Sequence, residues 1–99
     1  MKITLSYVKR LKNSIFKILP LFEEGNDGLT QYLDSLIYEL CGLHNMLEND
    51  KSSTLLSVIA ILEHFYDDSL SANVDINLIR REVLHCLDII DKTFVGENE

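Results

Sequence analysis

Every long apolar segment of this chain repeats its hydrophobic residues at helical spacing, and none alternates in the two-residue rhythm of a half-buried strand. That single property confines the fold to helices. The first stripe runs through Val8, Leu11, Ile15, Ile18, Leu19 and Phe22, and predicts a helix from about Thr4 to Leu19 that Pro20 ends or kinks. After the turn "EEGNDG" at 23–28, Asp27 is placed to cap a second helix reaching Leu47, with Leu29, Leu33, Leu36, Ile37, Leu40, Leu43 and Leu47 on its apolar face. Ser52 or Ser53 can cap a third, "TLLSVIAILEHFY", whose apolar arc is wide enough for neighbours on more than one side and which frays near "DDSLSAN". Asp75 caps the fourth, with Ile76, Ile79, Val83, Leu87, Ile90 and Phe94 as its stripe.

Helices joined by a few residues pack as antiparallel neighbours. The expected fold is therefore all-α: an antiparallel four-helix bundle forming a single domain over residues 1–99, with a three-helix core and a detached first helix as the alternative. Ninety-nine residues suffice for a core without metal or disulfide support. Cys41 and Cys86, far apart within helical segments, are expected to be small, buried, reduced thiols. The polar and basic residues between Lys2 and Lys12 interrupt any apolar run at the N-terminus, so no signal peptide or membrane span is expected, and the expected location is cytoplasmic.

Charge divides the chain unequally. Lys2, Lys9, Arg10, Lys12 and Lys17 give the first 22 residues +5, whereas residues 23–99 carry −12, within a total of −7. An acidic surface repels phosphate, which makes nucleic acid a poor partner.

Chemistry-bearing patterns are few. "EVLH" puts Glu82 and His85 at the Glu-x-x-His spacing of di-iron bundles, and His64 is the third residue that a metal-dependent reading would recruit. There is one copy, however, and the wheel turns both residues away from the core stripe, so neither a metal nor any other cofactor is expected. His64, Asp67 and Asp68 read as a polar face near a helix end. His44 falls inside the apolar arc and reads as a core histidine. The residues around the three histidines lack the lysine and glycine pattern of histidine phosphotransfer domains. The glycines match no phosphate-binding loop, and neither cysteine has a catalytic partner nearby in sequence. An enzyme is not expected.

Two surfaces stand out instead. On the first helix, Lys9, Arg10, Lys12, Asn13 and Lys17 lie opposite the Leu11/Ile15/Ile18 face, with Phe16 among the lysines. Lys9, Lys12, Phe16 and Lys17 are the candidate partner-binding residues, for an unidentified protein or, alternatively, a membrane surface. On the fourth helix a second apolar trace, Leu78 and Ile89, flanks Glu82 and His85, and these four residues are the candidate interface of a homodimer. The expected function is a non-catalytic interaction or regulatory module. In size and architecture only, a small acidic bundle of this kind resembles the immunity proteins that protect bacteria against their own bacteriocins. That resemblance implies an immunity-like or antitoxin-like protein whose acidic surface meets a cationic target.

Overall fold

A computed structural model of the chain describes residues 4–25, 27–47, 49–71 and 74–94, with the backbone alone at 49–52. Five helical segments occupy these residues: α1 (Leu5–Phe16), α2 (Ile18–Glu24), α3 (Leu29–His44), α4 (Asn49–Ser69) and α5 (Ile76–Thr93). They form four arms of an antiparallel bundle, because α1 and α2 are two halves of one arm. Going round the bundle, α1 and α2 pack on α5, α5 on α4, and α4 on α3. Tyr7 and Tyr32 bridge α1 to α3 and close the ring. The result measures 40 × 19 × 19 Å. The first arm is part of the bundle, and the detached alternative does not apply.

The first arm divides at Lys17, one turn before the proline. Pro20 has no N–H to offer the Phe16 carbonyl, and its ring crowds that oxygen, so the helix breaks four residues upstream. Within the first turn of α2 a proline costs little, since those N–H groups have no intrahelical partner. The helix therefore resumes through Pro20 and extends to Glu24, beyond the end expected from the sequence. The apolar stripe crosses the break unbroken: Val8, Leu11, Ile15, Ile18, Leu19 and Phe22 are all buried. Gly25 ends α2 in the left-handed conformation at φ 62°.

The cap expected at Asp75 is present, those expected at Asp27 and at Ser52 or Ser53 are not, and Thr4 is a further cap. Thr4 Oγ1 accepts the Tyr7 N–H at 3.1 Å, and the Asp75 carboxylate accepts the N–H groups of Asn77 and Leu78 at 3.0 and 3.3 Å. Asp27 is not the cap of α3; Gly28 holds that position and brings no side chain to it. α4 begins at Asn49 rather than at Ser52 or Ser53, so both serines lie within the helix.

The buried core is apolar throughout: Leu29, Leu33, Leu36, Leu40 and Leu43 from α3, Leu55, Val58, Ile59, Leu62 and Phe65 from α4, and Ile79, Val83, Cys86, Ile90 and Phe94 from α5 and its end meet the first arm. Phe22 and Phe65 stack edge to face with centroids 6.1 Å apart. Among the described residues no polar or charged side chain is buried. That corrects the expectation for His44, which is half-buried in the last turn of α3, because the leucine line fills the interior and leaves the histidine at its edge. Cys41 is likewise exposed rather than buried, on the outer side of α3, whereas Cys86 is enclosed.

Candidate functional site

The outer surface of α1 is built by its inner one. Once Val8, Leu11 and Ile15 face the core, helical geometry puts Leu5, Lys9, Lys12 and Phe16 within about 60° of one another on the side toward α5, at about 100° per residue. Lys9 and Phe16 are exposed, Phe16 to 49%, and Lys17 is exposed at the break between α1 and α2. Lys12 is half-buried and its Nζ donates to Asp91 Oδ1 of α5 at 2.6 Å. Arg10 leans the other way, with its guanidinium 5.0 Å above the Tyr7 ring and 3.9 Å from Glu39 of α3. Tyr7 O–H donates to the same carboxylate at 2.8 Å. Burial and this hydrogen bond push the Tyr7 phenol up to about 12.

The basic face thus does two things. Lys12 and Arg10 tie the first arm to its acidic neighbours, while Lys9 and Lys17 have no ion-pair partner among the described residues. Leu5 extends the stripe toward the N-terminus, and Leu84 of α5, 55% exposed, lies on the side of its helix that faces α1 and α2. The sequence reading passed over both. Leu5 shares a wheel sector with Lys9, which that reading did weigh, and Leu84 shares one with Asp91, which only the Lys12 pair brings into view.

The second candidate surface is less open than its sequence pattern. Leu78, Glu82, His85 and Ile89 do share one sector of α5, but only Leu78 and His85 are exposed, while Glu82 and Ile89 turn toward the α4 seam and are half-buried. Glu82 and His85 converge on no further ligand: the described residues contain no group of three or more His, Cys, Asp or Glu side chains able to hold a metal ion. Beside them, burial foremost and the Glu82 charge after it push the Cys86 thiol up to about 12, which keeps it a protonated packing group. His64 is exposed on α4.

A third surface went unnoticed in the sequence. Along the α3/α4 seam, Asp34, Ile37, Glu63, Tyr66 and Asp67 line an open cleft of about 410 Å³. Asp34, Ser35, Ile37, Tyr38 and Cys41 line an adjoining one of about 400 Å³. Tyr38 is 84% exposed. The signal for it was the wheel position of Tyr38, opposite the leucine line of α3.

No described helix is long and apolar enough to cross a membrane. No family model matches the chain, and no curated protein or solved structure matches it either.

Proposed function

We propose that this chain is a non-catalytic protein-interaction module that meets an acidic partner surface through the outer stripe of α1. The observation that carries the reading is Phe16, a large aromatic left half-exposed on a helix whose inner face is fully packed, with Lys9 and Lys17 around it uncommitted to ion pairs among the described residues. A rigid aromatic anchor supplies desolvation and shape, and flanking cations supply attraction and orientation. Lys9, Phe16 and Lys17 are the recognition residues in this reading, and Lys12 is a positioning residue whose pair with Asp91 holds the stripe against α5. No substrate or cofactor enters it.

The test is a photo-crosslinking benzophenone amino acid at position 16 in the native host. The expected result is a discrete crosslinked protein that disappears with Lys9→Glu and Lys17→Glu. Crosslinking to lipid alone, or to no macromolecule, contradicts the reading.

A further inference from the structure

We propose that the α3/α4 groove is a second docking site, one that takes a cationic, amphipathic helical segment of a partner protein. It goes beyond the α1 reading and is independent of it, since the groove lies across the bundle from the α1/α5 seam.

The two clefts share Asp34 and Ile37: the first lies between α3 and α4, and the second, lined by α3 among the described residues, extends this surface onto the outer face of that helix. From Asp34 to Cys41 it runs about 10 Å along α3 at about 1.5 Å per residue, the reach of two turns of a bound helix. Its floor is apolar and aromatic: Ile37 packs partly on the core, Tyr66 is half-buried beside it, and Tyr38 stands out at the edge. Its rim is anionic. Asp34, Glu63 and Asp67 have neither an ion pair nor a side-chain hydrogen bond among the described residues, in contrast to Glu39, Glu23 and Asp91, each of which meets a cation.

Charge complementarity identifies the occupant. Residues 29–69, which span both helices, contain seven acidic residues and one basic residue, Lys51, about 18 Å along α4 from Glu63. The basic residues of α1 point elsewhere, Arg10 to Glu39 and Lys12 to Asp91. Three uncompensated carboxylates around an apolar floor call for a partner with Lys or Arg flanking an apolar anchor, the pattern of a basic amphipathic helix laid in a groove. A purely ionic ligand would leave Ile37, Tyr38 and Tyr66 unused.

The probe is a fluorescein-labelled 18-residue Lys/Leu amphipathic helix, titrated onto the full-length chain with anisotropy as the readout. Asp34→Asn/Glu63→Gln/Asp67→Asn should weaken binding about tenfold or more. The charge-matched control Glu24→Gln/Asp27→Asn/Asp88→Asn should change it about twofold or less. Tyr38→Ala should weaken binding with the salt dependence unchanged, which separates the aromatic contact from the carboxylate rim. Far-UV spectra must show all variants folded; should the groove triple fail this, Tyr38→Ala against the control decides. Equal losses in the two triples overturn the site, since they mean general attraction to an acidic protein. So does a wild-type chain that sediments as an oligomer dispersed by the groove triple, because the groove is then filled by a second copy.

Discussion

Lys12 and Phe16 stand one turn apart on the same face of α1, yet one is bound into the molecule and the other is left outside it. The inner residues carry the energy. Leu11→Ala or Ile15→Ala removes a fully buried side chain and should cost about 2 to 5 kcal/mol in urea unfolding. Lys12→Ala breaks a half-exposed pair and should cost about 1 kcal/mol or less, falling further in high salt. The thiols divide in the same way: a thiol reagent should modify one cysteine per native chain, Cys41, and both in denaturant. Two native or no native modifications contradict the placement.

Titration adds a signed consequence. The Tyr7 phenol rises from 10.0 to about 12 and the Cys86 thiol from 9.0 to about 12, so the folded chain holds these protons after the unfolded chain has lost them. Their contribution to stability is complete below about pH 9 and is lost as pH climbs toward about 12. Urea midpoints should fall over that window, and less so for Cys86→Val; midpoints that rise would reverse the assignment. At this scale the sequence was readable where a residue sat well inside or well outside an apolar arc. His44, which shares an arc with Leu33 and Ile37, was misjudged because the leucine line fills the interior ahead of it, and Cys41 because its residue type favours burial while its place on the outer side of α3 does not.

Among the elements, local chemistry decides where helices start and stop, and glycine gives the sharpest comparison. Nothing lies within 4 Å of a Cβ built on either Gly25 or Gly42, so no steric contact distinguishes them. Their backbones do. Gly25 is left-handed at φ 62°, and Gly25→Ala should destabilise by about 1 kcal/mol. Gly42 lies within α3, and Gly42→Ala should stabilise by about 0.5 to 1 kcal/mol through helix propensity. Thermal unfolding of the two variants should move in opposite directions. Asp75→Ala should cost about 1 kcal/mol by removing a cap with two acceptor contacts, whereas Asp27→Ala should cost much less. Apolar stripes were legible because they repeat, and the division at Lys17 was foreshadowed by Pro20. Cap positions were legible in part: Asp75 caps α5 as its residue type and place suggest, whereas Asp27 and Gly28 compete for one site and the choice there rests on backbone geometry rather than residue type.

For the whole molecule, the four-arm antiparallel bundle was legible because each stripe must find a partner and short connections leave one arrangement. What lay outside reach was which arms become neighbours, and so which surface residues share a seam. The α3/α4 groove joins Asp34 and Ile37 to Glu63 and Asp67, nearly thirty residues further along the chain, and no local pattern announces that. The ring order sets the basic, aromatic seam of α1 and α5 across from the acidic seam of α3 and α4, leaving folding to the shared core. The most direct test of that separation is the variant Lys9→Glu/Phe16→Ala/Lys17→Glu, measured for thermal unfolding and for capture of the protein crosslinked through position 16. The expected result is a midpoint within a few degrees of wild type, as for exposed substitutions of about 1 kcal/mol or less, together with loss of capture. A cooperative fold lost on substitution, or undiminished capture by a folded variant, would contradict it.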